Sequence, residues 1–272
     1  ECHVTPMDIT NIESIRDAFY QYKPDFVIHA AATKFVDLAE TFPMECIDVN
    51  VIGSQNIARV SIETGVKGLI GVSTDKASPP VRNTYGMSKS IMERVFTSLN
   101  GKSNTKFTCV RYGNVAWSTG SVFPIWKAMQ EKEGIIGTTG PKMTRFFFTI
   151  NEAVELLQTS LKNLENVAGK VLSVRMKSAK LESILKVWIK INGGSFKMIS
   201  GRPGERDDEY LIGQLELPYT RKIIFNQKCH YLISFNEKVN NPVEEVLSSA
   251  NAERLNENEI KKLISPPNLG EI

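Results

Sequence analysis

The chain has 272 residues, of which 42% are hydrophobic and 23% charged, and its 33 basic and 30 acidic residues give a net charge of +3. These proportions are typical of a globular protein and exclude wholesale disorder, while the even charge balance provides no basic stripe for a nucleic acid. No apolar run is long enough to cross a membrane, and the first residues lack the pattern of a signal peptide.

The four cysteines, Cys2, Cys46, Cys109 and Cys229, lie far apart in the chain. Their spacing does not match the Cys and His patterns of zinc sites, so we predict no metal centre. Scattered single cysteines are typical of a reducing compartment, which predicts free thiols and a cytoplasmic location.

Strand-like and helix-like segments alternate along the first half of the chain. The predicted elements are a helix over 10–22, a strand over 26–30, a helix over 47–64, a strand over 68–72, a helix over 85–99 and a strand over 107–111. This alternation predicts an α/β fold in which helices cover both faces of a parallel sheet.

The second half of the chain is less regular. Its predicted elements are helices over 121–129, 149–161, 183–192 and 257–264, a strand over 171–174, and loops over 134–145, 201–210 and most of 236–258.

Tyr85 and Lys89 are four residues apart in a predicted helix, which puts them on one face about one turn apart. A nearby ammonium stabilises a phenolate, so this tyrosine could exchange a proton with a sugar hydroxyl. Taken alone, the pair is common by chance and is better explained as a solvated feature of a helix surface.

Thr74, Asp75 and Lys76 directly follow the apolar strand that ends near Val72. Functional groups of open α/β sheets lie at the carboxyl ends of the strands, so these three side chains could serve several proton transfers. The alternative is a helix N-cap with an incidental lysine.

Two further segments are candidates for contact with a dinucleotide. Small residues at 30–32 follow the strand that includes His29, and they would let a cofactor approach the backbone closely, or else serve ordinary helix packing. Asp8, next to Ile9, could accept a hydrogen bond from an adenine amino group or cap the helix over 10–22. We expect His29 itself to be a packed core residue.

Together these elements resemble the extended short-chain dehydrogenase/reductase family. Within it, the segments at 73–77, 111–115, 120–124, 143–146, 202–205 and 249–255 are similar to those of the inverting UDP-N-acetylglucosamine 4,6-dehydratases of the polysaccharide-biosynthesis group. The resemblance implies a Rossmann-like, doubly wound sheet, an NADP or NAD cofactor that is tightly bound and recycled, a UDP-sugar substrate and a homo-oligomer. It also implies a role in making a surface glycan such as capsule or LPS.

The resemblance also implies a role for each matching residue. Tyr85 would be the base for the sugar 4-hydroxyl, Thr74 would bond the 4-oxygen, Lys76 would remove the C5 proton and Asp75 would protonate the departing 6-hydroxyl. Lys89 would hold the nicotinamide ribose and lower the pKa of Tyr85. The adjacent Asp-Lys pair, in place of the Asp-Glu pair of glucose-nucleotide dehydratases, favours this branch.

The remaining implied contacts fall into two groups. The cofactor-binding residues would be Asp8, Ile9, Ala30, Ala31, Ala32 and Asn50, together with Tyr85 and Lys89. The substrate-binding residues would be Lys34, Asn114, Arg145, Arg202 and Glu205. Arg145 and Arg202 suit a pyrophosphate because guanidinium binds phosphate oxygens bidentately. Lys34 could instead be a solvated helix start, and Arg202 with Glu205 a structural ion pair.

One departure from the family pattern is the absence of the Gly-x-Gly-x-x-Gly turn that binds the cofactor pyrophosphate. We therefore expect that about 60 residues, two units of about 30 residues each, precede Glu1, and that the chain by itself binds cofactor weakly. The predicted organisation is an incomplete dinucleotide-binding domain over 1–165 and a substrate-binding part over 166–272, to which 116–145 contributes. A nucleotide-sugar epimerase or reductase, and an inactive sugar-nucleotide-binding fragment, remain alternatives.

Overall fold

The computed structural model describes residues 2–267, so Glu1 lies outside the described residues. Its helices are α1 (Ile12–Tyr22), α2 (Val36–Thr41), α3 (Pro43–Ile47), α4 (Ser54–Glu63), α5 (Thr84–Leu99), α6 (Val122–Glu133), α7 (Ile150–Lys162), α8 (Leu164–Val167), α9 (Leu181–Asn192) and α10 (Glu257–Ile264). A π-helical turn, Asp48–Gly53, joins α3 to α4, and 3-10 turns occupy Asp75–Ala77 and Gln214–Tyr219.

The strands are β1 (Phe26–His29), β2 (Gly68–Thr74), β3 (Lys106–Tyr112), β4 (Asn114–Val115), β5 (Ile135–Thr138), β6 (Thr144–Phe148), β7 (Val171–Val174), β8 (Ser178–Lys180), β9 (Ser195–Met198), β10 (Tyr210–Ile212), β11 (Thr220–Phe225), β12 (Lys228–Ile233) and β13 (Leu247–Ser248). Six of them form the central sheet, in the order β1-β2-β3-β7-β12-β11. The first four are parallel, and the β11–β12 hairpin adds two antiparallel strands. The α/β fold with a mostly parallel, Rossmann-like sheet is therefore confirmed.

The apolar runs of the central strands form strands because both of their faces are buried. Side chains alternate across the sheet, so Leu69 and Phe107 pack with Phe96 of α5 on one face. On the other face, Ile70 and Val110 pack with Leu156 of α7. The two helix layers thereby fix the carboxyl ends of β2 and β3 at one edge, where the candidate site lies.

Strands from beyond residue 165, namely β7, β11 and β12, extend the central sheet. The division of the chain at residue 165 stays a prediction. A second apolar core brings α6, α9 and α10 together around Phe123, Trp126 and Trp188. Residues 116–145 and the C-terminal region thus share one core.

The prediction of a loop over the whole of 134–145 is wrong. Residues 135–138 form β5, which pairs in parallel with β9, and Thr144 begins β6. The glycine-rich and threonine-rich composition suggested a loop, but the partner strand lies some 60 residues along the chain at 195–198. Pairing with so distant a segment leaves no local signal in the sequence.

Two helices differ in detail from the prediction. The helix predicted over 10–22 begins at Ile12 and is capped by Asn11, whose side chain accepts from the Glu13 N–H, so Asp8 is not the cap. The helix predicted over 47–64 is interrupted by the π-helical turn Asp48–Gly53. Within residues 2–267, no helix has the length and apolar character needed to cross a membrane.

Candidate active site

The end of β2 carries three polar side chains at the centre of the sheet edge. Thr74 is the last residue of β2, and its hydroxyl accepts a hydrogen bond of 3.3 Å from the Lys76 N–H, which caps the 3-10 turn Asp75–Ala77. The same hydroxyl donates to Asp75 Oδ1 at 3.0 Å. Thr74 is thus a cap, as the alternative interpretation held, yet its hydroxyl also belongs to a cluster of buried charges.

That cluster places Lys76 between two carboxylates. Its Nζ lies 3.1 Å from Asp75 Oδ1 and 3.4 Å from Glu209 Oε1, and both carboxylates are almost fully buried. Burial lowers the pKa of Lys76, but the charges of Asp75 and Glu209 outweigh it and raise the pKa above its usual value. Lys76 is therefore an ammonium at neutral pH in this arrangement.

Each carboxylate of the cluster keeps one oxygen free. Asp75 Oδ2 and Glu209 Oε2 are both buried, and neither has a hydrogen-bond partner among the described residues. Buried polar atoms without partners are rare and costly in folded proteins. Both oxygens can therefore accept a hydrogen bond from water or from a polar ligand in the adjoining cavity.

Helix α5 brings Tyr85 against this cluster. Asn83 caps the helix by accepting from the Gly86 N–H at 2.7 Å, and a Cβ added to Gly86 would lie 2.3 Å from the Lys76 carbonyl oxygen. The absence of a side chain at Gly86 therefore allows the close approach. Burial raises the pKa of Tyr85 to about 12, against the opposing effects of the Lys76 charge and a hydrogen bond with Thr74.

The effect predicted for Lys89 on the pKa of Tyr85 stays a prediction. In this structure Lys76 is a cation that lowers the pKa of Tyr85, whereas the Lys89 Nζ lies 3.4 Å from Met92 Sδ. Lys89 is only 2% exposed, and burial lowers its pKa to about 8.

The surroundings of Lys89 suit ribose hydroxyls. Its ammonium has no ion pair with a carboxylate within 4 Å in the part of the chain that the structure describes, although it is buried. An ammonium has three donors, and a thioether sulfur is a weak acceptor. The oxygens of a nicotinamide ribose would satisfy this buried cation, so the residues present fit an NAD(P) cofactor.

Asn50 links the segment after β1 to α5, the helix that carries Tyr85 and Lys89. Its side chain accepts from the Thr33 N–H at 2.8 Å and donates to the Thr33 carbonyl at 3.0 Å and to Ser88 Oγ at 3.0 Å. Asn50 is fully buried in the π-helical turn. It therefore holds the backbone that follows the alanines at a set distance from α5.

The other predicted cofactor residues lie around the amino-terminal part of the sheet. Ala30, Ala31 and Ala32 follow the end of β1, and the first two are exposed. Asp8 is exposed, and hydrogen bonds from Thr10 lower its pKa, while Ile9 is buried in the core. Their contact with a cofactor stays a prediction. His29 is a core residue as expected, with its ring 2.9 Å from Ser54 Oγ and its pKa lowered to about 3 by burial.

All five predicted substrate residues line one cavity of about 240 Å³, together with Lys76 and Glu209. They are Lys34, Asn114, Arg145, Arg202 and Glu205. The cavity lies between the sheet edge and the second apolar core. The structure thus brings together residues that are far apart in the chain and places them beside the buried charge cluster.

Arg145 is held by backbone carbonyls in this structure. Its guanidinium donates to the carbonyls of Thr144, Asp207 and Arg206 at 2.8 to 3.0 Å. A bidentate bond to phosphate would therefore have to replace some of these bonds. The guanidinium nonetheless adds a positive charge to the cavity wall that lowers the pKa of Lys76.

Arg202 and Glu205 do not form the ion pair that the alternative interpretation predicted. The Glu205 carboxylate instead accepts from the Arg202 backbone N–H at 3.2 Å, and the two side chains make no ion pair within 4 Å in the described residues. The exposed Arg202 guanidinium therefore remains available at the mouth of the cavity.

A second buried network was not predicted. Arg111 is fully buried, and its guanidinium donates five hydrogen bonds. Two of them go to the Glu93 carboxylate, two to the Glu216 carboxylate and one to the Leu211 carbonyl. Ser73 and Ser78 donate to the same two carboxylates. This network fastens β3 to α5 and to the 3-10 turn Gln214–Tyr219.

Glu209 and Asn83 are the site residues that sequence reasoning missed. Glu209 lies in the charged segment 201–210, which contains several acidic residues. Nothing in the local sequence distinguishes it from Asp207 or Asp208. Asn83 precedes a predicted helix and could have been identified as its N-cap. Its side chain also donates to the Gly204 carbonyl at 3.2 Å, which joins α5 to the cavity wall.

Comparison with known proteins establishes the family. The model of a family described as polysaccharide biosynthesis protein matches residues 2–226. An inverting UDP-N-acetylglucosamine 4,6-dehydratase of Campylobacter jejuni is 38% identical over 194 residues, which is 69% of this chain and 56% of that enzyme. The chain therefore belongs to the polysaccharide biosynthesis protein family, within the short-chain dehydrogenase/reductase fold.

Other curated relatives give the range of this similarity. An uncharacterized membrane protein of Methanocaldococcus jannaschii is 36% identical over 88% of this chain and 74% of its own length. The capsular polysaccharide biosynthesis protein CapD of Staphylococcus aureus is 36% identical over 91% of this chain but only 42% of its own length. A UDP-glucose 4-epimerase of Rickettsia felis is 31% identical over 94% of this chain and 78% of its own length. The chain thus spans between two fifths and four fifths of these relatives.

Solved structures agree on the fold. Pen from Bacillus thuringiensis superposes with a TM-score of 0.86 and 28% identity, over 96% of this chain and 80% of that one. The UDP-glucose 4-epimerase of Thermus thermophilus, solved in complex with NAD, superposes with a TM-score of 0.64 and 19% identity, over 74% of this chain and 73% of that one. At that identity, the second likeness shows the fold alone.

Proposed function

We propose that the protein is a nucleotide-sugar 4,6-dehydratase that acts on UDP-N-acetylglucosamine in the biosynthesis of a surface glycan. The reaction oxidises C4, eliminates water across C5 and C6 and returns hydride to C6, with inversion at C5. The observation that carries the proposal is the contact of Asp75 with Lys76 at 3.1 Å beside the cavity lined by the five predicted substrate residues. The similarity to the Campylobacter dehydratase supports it.

The cofactor side of the site is formed by α5 and the segment after β1. A bound NAD(P), held by Lys89 and the segment after β1, would supply the hydride chemistry that the reaction needs at the sugar C4 and C6. The buried ammonium of Lys89 would donate hydrogen bonds to the ribose. Asn50 bonds both Thr33 and Ser88, and so fixes the distance between the segment after β1 and α5.

Tyr85 would remove the proton from the 4-hydroxyl while Thr74 bonds the 4-oxygen. A tyrosine whose pKa is raised to about 12 by burial is a poor base, so a bound positive charge is needed. The neighbouring Lys76 already acts in that direction, and the positive charge of an oxidised nicotinamide would add to it.

Asp75 and Lys76 would carry out the elimination. Once C4 is a ketone, the C5 proton is acidified, and its removal needs a neutral amine at Lys76 and a carboxylic acid at Asp75. One proton transfer along the existing Nζ to Oδ1 contact of 3.1 Å converts the ammonium and carboxylate into this pair. Lys76 then takes the C5 proton, and Asp75 gives its proton to the departing 6-hydroxyl, which leaves as water.

The substrate cavity suits a diphosphate with a sugar at its inner end. Lys34 and Arg202 contribute positive charge to its wall, and Asn114 has a side-chain amide at the sheet edge. Because the largely buried Lys76 lines this cavity, a sugar bound beside it would present its C5 and C6 to the Asp75–Lys76 pair.

Mass spectrometry of the product tests the proposal. We expect incubation with UDP-N-acetylglucosamine and NADP or NAD to yield a product lighter by one water, and the same reaction in D2O to incorporate deuterium at C5. Lys76→Ala should abolish the water loss, whereas Lys222→Ala, an exposed lysine of β11, should leave it unchanged. Full water loss by the Lys76→Ala variant would refute the role given to Lys76.

An epimerase is the second candidate, because 94% of this chain aligns with the Rickettsia enzyme at 31% identity. An epimerase returns the hydride to C4 and needs no base at C5, so its product has the mass of the substrate. Binding of the UDP-sugar without any conversion would instead identify an inactive sugar-nucleotide-binding protein. The mass measurement therefore separates the dehydratase from the other two, and proton NMR of the sugar, which detects inversion at C4, separates the epimerase from the inactive binder.

A further inference from the structure

The dehydration proposed above, on which this inference rests, requires an amine at Lys76 to become an ammonium at the moment when C5 loses its proton. At that moment Asp75 still holds the proton that it will give to the 6-hydroxyl. The new positive charge therefore forms beside a neutral acid in a largely buried site. A buried ammonium without a counter-charge is strongly disfavoured, so the site needs a second anion.

Glu209 lies where that anion is needed. Its Oε1 is 3.4 Å from Lys76 Nζ, and its side chain is only 4% exposed. Glu209 directly precedes β10, a segment distant from Asp75 in the chain, so the ammonium contacts carboxylates from two separate segments. Charges within 4 Å in a buried site interact much more strongly than on the surface.

The backbone of Glu209 is fixed independently of this contact. Its N–H donates to Ser249 Oγ at 2.8 Å, and its carbonyl accepts from the Ser249 N–H at 2.7 Å. Ser249 Oγ lies 2.7 Å from Thr144 Oγ1, which anchors the pair to β6. Glu209 Oε1 is therefore held at its position beside Lys76 by contacts that do not involve the reacting groups.

We propose that Glu209 is a positioning residue for the elimination: it holds Lys76 against Asp75 and supplies the counter-charge when Lys76 takes the C5 proton. In the first step the C5–H bond breaks, an N–H bond forms on Lys76, and the electron pair is held as the enolate of the 4-keto group. In the second step the enolate restores the ketone and forms the C5–C6 double bond as the C6–O bond breaks, and the Asp75 proton leaves with the hydroxyl as water. Lys76 ends as an ammonium between two carboxylates, which is the state seen in the structure.

The charged groups that face Lys76 are few. Asp75 and Glu209 raise its pKa, Arg145 from β6 lowers it, and Tyr85 from α5 is neutral at working pH. Replacing Glu209 by glutamine keeps the shape and removes one negative charge. The pKa of Lys76 should therefore fall in this variant.

Two measurements test the inference. The first follows acetylation of Lys76 by acetic anhydride as a function of pH, with peptide mass spectrometry, in the protein without substrate or cofactor. We expect the midpoint of the profile to move to lower pH in Glu209→Gln, by less in Glu209→Asp and not at all in Glu245→Gln, an exposed glutamate. Thermal unfolding confirms that each variant is folded.

The second measurement is turnover of UDP-N-acetylglucosamine. We expect kcat of Glu209→Gln to fall about tenfold or more with a nearly unchanged KM, because Lys76 loses the contact that positions its Nζ beside Asp75 and misplaced reacting groups lose rate on this scale. Deuterium incorporation at C5 should slow in parallel, and Glu209→Asp should restore part of the rate.

The outcomes separate this inference from the function on which it rests. If the unaltered protein removes no water from the substrate, the dehydratase proposal fails, and the acetylation profile still tests the pairing of Glu209 with Lys76. If the unaltered protein dehydrates the sugar but folded Glu209→Gln has the same kcat and the same acetylation midpoint, the role of Glu209 is overturned.

Discussion

Lys89 provides a test in which stability and function move in opposite directions. The ammonium is 2% exposed and has no carboxylate partner within 4 Å, and its pKa is lowered by burial from 10.5 to about 8. Replacing it by methionine keeps an unbranched chain and removes the charge. We expect Lys89→Met to be more stable than the unaltered protein at pH 7 and to lose the proposed activity.

The magnitude follows from the difference between the folded and unfolded pKa of Lys89. Because the folded-state value is the lower one, the folded protein carries a penalty that is complete below about pH 8 and disappears above about pH 10.5. A difference between 10.5 and about 8 corresponds to about 3 kcal/mol, and burial leaves little solvent screening to reduce it. The gain in Lys89→Met should therefore reach up to about 3 kcal/mol at pH 7 and shrink toward zero by pH 10.5.

Urea unfolding followed by circular dichroism at pH 7 and at pH 10 measures this difference. Lys67→Met is the matched control, because Lys67 is an exposed lysine that pairs with Asp25 at 2.9 Å, and exposed pairs contribute about 0 to 1 kcal/mol. A Lys89→Met variant that is no more stable at pH 7, or whose gain is the same at both pH values, would refute the reasoning.

Three further predictions concern the framework of the site. Arg111→Met leaves the buried carboxylates of Glu93 and Glu216 without their cation, so the free energy of unfolding should fall by about 3 to 5 kcal/mol; a loss below 1 kcal/mol in urea unfolding would contradict the importance of this network. Gly86→Ala places a methyl group against the Lys76 carbonyl and should lower kcat while the exposed neighbour Met87→Ala does not; equal kcat in both variants would contradict the close approach. Asn83→Ala removes a helix cap and should cost about 1 kcal/mol in thermal unfolding, in contrast to no change for the exposed Arg82→Ala.

Much of the fold and half of the site could be predicted from local pattern. The apolar runs at 68–72 and 107–111 are continuous because both faces of these strands are covered, and Thr74, Asp75 and Lys76 follow the first of them directly. The order of motifs indicated the family, which the comparisons confirm over residues 2–226. These features depend on neighbours in the chain, so the sequence alone contains them.

The tertiary structure decided what depends on distant segments. The pairing of β5 with β9 and the addition of the β11–β12 hairpin to the central sheet have no local signature, because a short strand is stabilised by its partner rather than by its own residues. The contact of Glu209 with Lys76 likewise joins positions more than a hundred residues apart. The sequence alone therefore determined which reactive groups follow β2, whereas only the folded chain determined which charges surround them, since burial and distance set the protonation of each group.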